Sequence, residues 1–193
     1  MEEGDTIFTV KTDVKDGFWR CVTAEGQEWN FAYVLQQKEG GPIRLVIPKS
    51  LQMGWIELPG YFCAASKTGR DVAEAYAKLK IGTLPDHNFP EYTNGSPEYE
   101  ALPNILANRR PLKFMIEVYV DNYINLAMTR SKQDLDHISN ATMHRMHCVF
   151  PANKVDNEDP ILKKKMTKKD GQWRIEKDVL GWTFKGVEKT MVL

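Results

Sequence analysis

Alternating apolar and polar residues predict the first strands of the chain. Residues 6–13 (TIFTVKTD) follow the two-residue period of a β-strand, and Asp13 stands at its end. Residues 29–35 and 42–48 are also strand-like, and the sequence KEGG between them has the glycines of a turn. These two segments therefore predict a β-hairpin.

A second predicted hairpin lies further along the chain. Residues 114–120 (FMIEVYV) and 123–128 (YINLAM) are apolar, strand-like runs, and Asp121 and Asn122 separate them. Aspartate and asparagine both tolerate positive φ, which is the backbone conformation that a tight hairpin turn requires. The sequence therefore predicts that Asp121 and Asn122 form the tip of this hairpin.

Two other segments have the period of an amphipathic helix. The first begins near Pro59, and its spaced positions are Phe62, Ala65, Gly69, Val72, Tyr76 and Leu79. The second ends near Pro151, and its spaced positions are Leu135, Ile138, Thr142, Met146 and Val149. Each helix is expected to bury its stripe against a sheet.

The remaining segments complete a predicted α+β fold. Residues from about 82 to 112 are rich in Pro, Asn, Gly and Tyr, which predicts a long, loop-rich surface insertion. Residues from about 172 to 193 contain the short strand-like runs QWRI, VLGWTF and TMVL. The predicted order is β–ββ–α–ββ–α–β, so residues 1–193 are expected to form one domain with helices on one face of an antiparallel sheet.

Composition narrows the possible functions only slightly. The chain has 193 residues, 42% of them apolar and 27% charged, which is ordinary for a globular domain. Its formal net charge is zero, whereas a complete nucleic-acid-binding enzyme is usually basic because Lys and Arg displace counterions from phosphates. The basic run at 163–169 (KKKMTKK) has two interpretations, a local contact with a nucleic-acid backbone or a solvated loop.

Cysteine usage and the absence of targeting signals indicate an intracellular protein, either cytoplasmic or nuclear. Cys21, Cys63 and Cys148 are odd in number and widely spaced, which predicts reduced, buried thiols. The acidic N-terminus is not a signal peptide. No apolar run reaches the length of about 20 residues that spans a bilayer, so no membrane partner is expected.

Two aspartates are candidates for metal chemistry. Asp13 ends a predicted strand and Asp121 lies at a predicted hairpin tip, and carboxylates on such rigid elements suit Mg²⁺, which binds a few carboxylates together with substrate phosphates. On spacing alone, the interpretation of both residues as turn formers is favoured over metal binding. His137, His144 and His147 share the second predicted helix and are interpreted as exposed residues, because no second cluster of zinc ligands accompanies them.

Four segments, in chain order, resemble the motifs of reverse transcriptases. TDVKDGF (12–18) resembles the first metal-binding motif, in which an aromatic residue follows the Asp five positions later. QMGWIELPGYF (52–62) resembles the motif that contacts template and nucleotide, and YVDN (119–122) resembles the Tyr-x-Asp-Asp hairpin. VLGWTF (179–184) resembles the segment that grips the primer. The motifs and the second helix cover residues 6–193, and the chain is similar to the palm domain of a long-terminal-repeat retroelement polymerase.

The resemblance implies an RNA-directed DNA polymerase with a two-metal site. Asp13 would bind both Mg²⁺ ions, Val14 would offer its backbone carbonyl to one, and Asp121 would be the second catalytic carboxylate; Mn²⁺ would substitute for Mg²⁺. The residues implied to contact primer and template are Tyr119, Gly181 and Trp182. The implied partners are an RNA or DNA template–primer, a deoxynucleoside triphosphate (dNTP) and other domains of a retroelement polyprotein.

The resemblance also implies a nucleotide-binding surface. Asp16 and Gly17 would lie under the triphosphate, where backbone N–H groups can meet phosphate oxygens. Phe18 would be a steric gate whose ring fills the place of a 2′-hydroxyl, although a core aromatic residue is the alternative interpretation. Gly54 and Trp55 would support the nucleotide and the template.

The chain departs from the family pattern in ways that predict a truncated or weakened copy. Asn122 stands where a second Asp is usual, and one charge pair at 4 Å is worth roughly 4 kcal/mol at an effective dielectric of 20, so metal affinity should fall. Met53 replaces a polar residue found in some members. Few residues precede Asp13, so the fingers are expected to be incomplete, and the thumb and RNase H domain are expected to be absent.

Two alternatives to an active polymerase therefore stay open. The chain could be a catalytically inactive retroelement remnant that at most binds nucleic acid or has a structural role. It could also be an unrelated α+β binding module in which the motif order is coincidental. The polymerase interpretation requires Asp13 and Asp121 to meet across adjacent strands, and their location on opposite faces would contradict it.

Overall fold

The computed structural model describes residues 6–37, 40–87, 89–104, 112–152 and 158–193. The strands are β1 (Thr6–Asp13), β2 (Tyr33–Val34), β3 (Leu45–Val46), β4 (Lys113–Tyr119), β5 (Asn122–Thr129), β6 (Glu176–Val179), β7 (Trp182–Lys185) and β8 (Thr190–Val192). The α-helices are α1 (Leu58–Ala77), α2 (Pro90–Thr93), α3 (Pro97–Glu100), α4 (Lys132–Val149) and α5 (Lys163–Met166). The chain therefore has mixed α+β structure with antiparallel sheets.

The central sheet has three strands in the order β1-β5-β4. Both pairings are antiparallel, as the predicted strand and the second predicted hairpin require. Asp13 at the end of β1 pairs with Asn122, and Tyr119 at the end of β4 pairs with the same residue. The end of β1 and the β4–β5 turn therefore lie side by side.

The two long helices, α1 and α4, pack on one face of this sheet. The Tyr123 hydroxyl donates a hydrogen bond to the Ser66 carbonyl of α1 at 2.7 Å, and the Asn125 amide of β5 donates to the Thr142 hydroxyl of α4 at 2.9 Å. Tyr123 and Asn125 are two positions apart and so point to the same face. The opposite face carries Asn122 and the residues that pair with it.

The position of the β4–β5 turn corrects the sequence-based expectation. Asp121 and Asn122 were expected at its tip, but Tyr119 pairs directly with Asn122, so the two turn residues are Val120 and Asp121. The positive φ of 57° falls on Val120, a β-branched residue for which this conformation is a genuine outlier. The strand register therefore overrides the local turn preference of the Asp-Asn pair.

The first predicted hairpin exists but is much shorter than expected. Tyr33 pairs with Val46 and Val34 with Leu45, and each strand has two residues. The start of the strand predicted at residues 29–35 belongs instead to a 3₁₀ helix at Glu28–Phe31. Within the expected KEGG turn, residues 38–39 lie outside the described residues.

The insertion expected at about 82–112 is only partly a surface loop. It contains α2 and α3, and Phe89 and Tyr99 are buried in the core. The Ser96 hydroxyl accepts a hydrogen bond from Tyr99 N at 3.1 Å and donates one to the Trp173 carbonyl at 2.5 Å. Aromatic burial therefore fixes much of this segment, while residues 88 and 105–111 lie outside the described part.

The last strands form a second three-stranded sheet in the order β6-β7-β8. Its first turn contains Leu180 and Gly181, which both have positive φ, at 54° and 83°. The predicted strand at 172–175 is not part of this sheet, because β6 begins at Glu176. Arg174 forms only an isolated bridge to Thr9 of β1.

The C-terminal part of the chain runs beside β1, on the side away from β5. Lys11 N donates to the Asp170 carbonyl at 3.3 Å, and Thr9 N donates to the Arg174 carbonyl at 2.8 Å. At the far end of the strand, Leu162 N donates to the Asp13 carbonyl at 3.0 Å. These bonds bring the basic segment that contains α5 next to Asp13.

The three cysteines, Cys21, Cys63 and Cys148, are free thiols, but the expectation that they are buried is wrong: Cys21 and Cys63 are half-buried and Cys148 is exposed. Among the described residues, none of the helices is both long and apolar enough to traverse a lipid bilayer.

Candidate active site

The sheet brings the two predicted acids to the same end. Asp13 is the last residue of β1 and pairs with Asn122. Asp121 lies in the β4–β5 turn, immediately before Asn122. The N–H of Val14 donates to the Asp121 carbonyl at 3.0 Å, which fixes the two backbones together. The charge of Asp121 contributes to a raised pKa of the Asp13 carboxyl, so the two side chains are close enough to interact.

Asp13 is a buried acid with a single cationic partner among the described side chains in contact with it. Its side chain is 1% exposed, and its Oδ2 is in ion-pair contact with Lys165 Nζ. Apart from this ion pair, neither carboxylate oxygen has a hydrogen-bond donor among the described residues. Burial raises the pKa of the Asp13 carboxyl most strongly, while the hydrogen bond and charge of Lys165 oppose that rise. The site therefore stabilises a cation beside Asp13.

Asp121 has a different environment, because Asn122 is its neighbour. The Asn122 side-chain amide donates a hydrogen bond to Asp121 Oδ1 at 2.8 Å. An aspartate at position 122 has no such donor when ionised and would repel Asp121 instead. Asn122 therefore both lacks a charge and occupies one oxygen of the neighbouring carboxylate.

The donor set fits a divalent cation only if substrate supplies further ligands. Within the described ranges, no three His, Cys, Asp or Glu side chains form a metal-binding cluster. The interpretation of the α4 histidines as exposed is wrong for His137, which is buried with its Nε2 3.1 Å from the Ala77 carbonyl oxygen, while His144 and His147 are half-buried. Asp13 Oδ1 is nevertheless buried without a hydrogen-bond donor among the described residues, and a second carboxylate lies nearby. Mg²⁺ is commonly held by one or two carboxylates with water and phosphate oxygens, so these residues fit that mode of binding.

The loop after β1 packs against α1 through Gly17 and Phe18. Asp16 adopts a left-handed conformation with a φ of 51°, and Gly17 is buried against Phe62 of α1, where an added Cβ would lie 2.5 Å from Cζ. Phe18 is half-buried, and its ring centre lies 4.9 Å from that of Phe62. Phe18 is thus held by a core ring on one side while part of its surface stays accessible.

Gly54 and Trp55 lie just before α1. Gly54 has a φ of 101°, which favours glycine, and an added Cβ there would meet open space. The Trp55 ring stacks on Tyr61 at 5.6 Å with an interplanar angle of 17°, and Phe31 meets it edge-on at 5.3 Å. Trp55 is therefore fixed by its aromatic neighbours.

The predicted primer-contacting residues are only partly brought together. Tyr119 lies beside the acids, because it pairs with Asn122, and it is 59% exposed. Gly181 is in the β6–β7 turn and Trp182 follows it. Among the described residues, no hydrogen bond, ion pair or ring contact joins either of them to Asp13 or Asp121.

Sequence reasoning missed the position of Lys165. It belongs to the basic run KKKMTKK, for which a nucleic-acid contact and a solvated loop were the two interpretations. Lys165 instead contacts Asp13, while the preceding Lys164 is exposed. The sequence contains no signal that separates these two neighbours, because their difference arises from the pairing of this segment with β1.

Sequence reasoning also missed Arg145, which is fully buried in α4. Its Cζ lies 3.6 Å from the centre of the Tyr123 ring, and none of its side-chain nitrogens has a hydrogen-bond partner among the described residues. Burial lowers the pKa of its guanidinium to about 10. Gly69 of α1 makes room for it, because a Cβ there would lie 2.5 Å from Cζ. Arg145 therefore packs against the residue that follows Asn122.

No protein-family model matches the chain, and no curated protein sequence shows significant similarity to it. The function is therefore inferred from the site itself and from the residues of the four motifs.

Proposed function

We propose that this chain is the palm core of a retroelement RNA-directed DNA polymerase, in a weakened copy. One observation carries the proposal. The buried carboxylate of Asp13 and the carboxylate of Asp121 lie at the same end of an antiparallel sheet, where the charge of Asp121 contributes to the raised pKa of Asp13. Each acid lies in the segment that resembles the corresponding reverse-transcriptase motif. In this proposal a template–primer would lie on the face of the sheet opposite α1 and α4, where Tyr119 is 59% exposed.

The two carboxylates have a defined task in this proposal. Asp13, the Val14 backbone carbonyl and Asp121 would hold two Mg²⁺ ions, or Mn²⁺ in their place, together with phosphate oxygens of the dNTP. When bound, the ions lower the pKa of the primer hydroxyl and neutralise charge on the leaving pyrophosphate. Burial of Asp13 strengthens its interaction with such charges, because the local dielectric is low.

The loop after β1 would position the nucleotide. Asp16 and Gly17 would meet the triphosphate with their backbone N–H groups, and Phe18 would exclude the ribose 2′-hydroxyl. The packing of Phe18 on Phe62 supports this role, because a gate must be held rigidly to discriminate by shape. Gly54 and Trp55 would support the nucleotide and the template beside it.

The primer strand would be held by residues from two hairpins. Tyr119 would contact the primer end next to Asp121, and its exposed position beside Asn122 supports this role. Gly181 and Trp182 would position the strand from the β6–β7 turn. These partners and the other domains of a polyprotein are proposed from the motif resemblance.

A second candidate, a catalytically inactive remnant, is favoured by the Asn122–Asp121 hydrogen bond at 2.8 Å. This bond competes with metal for one oxygen of Asp121. The missing charge at position 122 removes an attraction of roughly 4 kcal/mol for a unit cation at 4 Å and a dielectric of 20. The weakened polymerase proposed first should by contrast keep slow activity, because Asp13, the more buried acid, is intact.

Extension of a primed RNA template with Mg²⁺ or Mn²⁺ tests the proposal. We expect slow extension by the wild type, none by Asp13→Asn, and faster extension by Asn122→Asp. Asp71→Asn is the matched control, because Asp71 is an exposed acid on α1 and should leave extension unchanged. Primer extension by Asn122→Asp but not by the wild type would favour the inactive remnant for the natural sequence. Absence of extension in every variant would reject polymerase activity for this chain.

A further inference from the structure

The ammonium group of Lys165 occupies the position beside Asp13 Oδ2 that a metal cation would take. The Asp13 side chain is 1% exposed, whereas the Lys165 side chain is 45% exposed. Lysine carries its charge on a flexible four-carbon stem, so Lys165 can swing into solvent while Asp13 stays fixed in β1. A cation that approaches Asp13 Oδ2 therefore has to take the position of Lys165 Nζ.

The charges around the Asp13–Lys165 pair also favour competition between Lys165 and a metal ion for Asp13. Lys165 interacts with Asp13, Asp121 and Asp170, and Lys11 is the other cation that acts on Asp13. One ammonium group thus serves both predicted metal-binding acids. A divalent ion would bring more positive charge to the same carboxylates. It would repel the Lys165 ammonium group, so the two cations cannot both bind Asp13 and Asp121 without an energetic cost.

We propose that Lys165 is a built-in competitor of divalent metal at Asp13, which keeps the acid pair neutralised until metal and substrate arrive and displace it. This inference rests on the proposed function, because it takes the Asp13–Asp121 pair as the metal site. It assigns Lys165 a regulatory role that does not require contact with nucleic acid. The ion pair also stabilises the metal-free fold, since its loss leaves a buried carboxylate without a cation.

Binding of Mn²⁺ alone, measured from the loss of the free-ion electron paramagnetic resonance signal at pH 8, tests the inference. We expect Lys165→Met to bind Mn²⁺ about tenfold or more tightly than the wild type, because an opposing charge is removed. Lys165→Arg keeps the charge and should bind like the wild type. Lys164→Met is the matched control, because Lys164 is the exposed neighbour and its loss should leave affinity unchanged.

Thermal unfolding of the same variants gives a second measurement. Lys165→Met is expected to have a lower Tm than Lys164→Met without metal and a larger rise in Tm with Mn²⁺. Asp13→Asn should remove the added affinity of Lys165→Met. Equal Mn²⁺ affinities in Lys165→Met and Lys164→Met would overturn the inference, as would a complete lack of binding by Lys165→Met.

The result of the Mn²⁺-binding measurement can be distinguished from the result of the primer-extension assay. Tighter Mn²⁺ binding by Lys165→Met without extension by any variant would support the competition while rejecting the polymerase. Extension by the wild type with no difference in Mn²⁺ affinity would retain the polymerase and reject the role of Lys165.

Discussion

Replacement of Gly69 by alanine tests the packing between α1 and α4 behind the candidate site. A Cβ at position 69 would overlap Arg145 Nη1 and lie 2.5 Å from Cζ. The far end of an arginine can often move aside, but Arg145 is fully buried and stacked on Tyr123. The added methyl group is therefore expected to force a shift of α1, of α4 or of the start of β5.

Three contributions decide the sign and size of the effect of Gly69→Ala. Alanine is favoured over glycine in a helix by about 1 kcal/mol. Overpacking of a filled core costs about 1–3 kcal/mol, and loss of a desolvated cation–π contact costs up to about 2 kcal/mol. We therefore expect Gly69→Ala to lower the free energy of unfolding by about 2 kcal/mol.

Urea unfolding followed by circular dichroism measures this change, and α1 supplies its own control. Gly60→Ala adds a Cβ that meets open space, so it should be neutral or stabilise by up to about 1 kcal/mol. In an Arg145→Ala background the obstacle is gone, and Gly69→Ala should become neutral or stabilising. The reasoning would be refuted if Gly69→Ala in the wild-type background were as stable as Gly60→Ala. It would also be refuted if Gly69→Ala lowered the free energy of unfolding equally in the wild-type and Arg145→Ala backgrounds.

Three further predictions concern the gate, the C-terminal sheet and a buried lysine. In whichever variant extends a primer, Phe18→Ala should admit ribonucleotides, and unchanged sugar selectivity would assign Phe18 to the core alone. Gly186→Ala places a Cβ over the Ile7 carbonyl oxygen and should destabilise by about 3 kcal/mol or more; the exposed neighbour Val187→Ala should be near neutral in the same urea assay. Burial lowers the pKa of Lys177 to about 8 from an ordinary 10.5, so the unfolded chain binds more protons between these values and stability should rise with pH across them. Urea unfolding at pH 8 and at pH 10 should show this rise in the wild type and a smaller one in Lys177→Met, and identical rises would contradict it.

Periodic segments of the fold could be predicted from the sequence. The strand ending at Asp13 and the helices α1 and α4 follow from repeating apolar positions, because one buried face imposes a period on each element. The tip of the second hairpin was misplaced by one residue. Local turn preference favours Asp121-Asn122, but pairing of Tyr119 with Asn122 fixes the register and leaves Val120 with the positive φ.

The parts of the candidate site that sequence could not predict depend on contacts distant in the chain. Lys165 lies in a run of lysines without a period, and only its pairing with β1 distinguishes it from Lys164. Arg145 lies on the buried side of α4, but a charged residue ordinarily indicates an exposed position. Its pocket exists because Gly69 lacks a side chain, and no local pattern connects these two residues.

The chain segment that runs beside β1 has a consequence for aggregation. An unprotected edge strand exposes N–H and C=O groups that can recruit a strand from another molecule. Here Asp170 and Arg174 bond to the outer side of β1, and Leu162 bonds to Asp13, so this edge is covered by the chain's own C-terminal region. A shortened protein that ended after α4 would expose the edge and should form intermolecular β-assemblies.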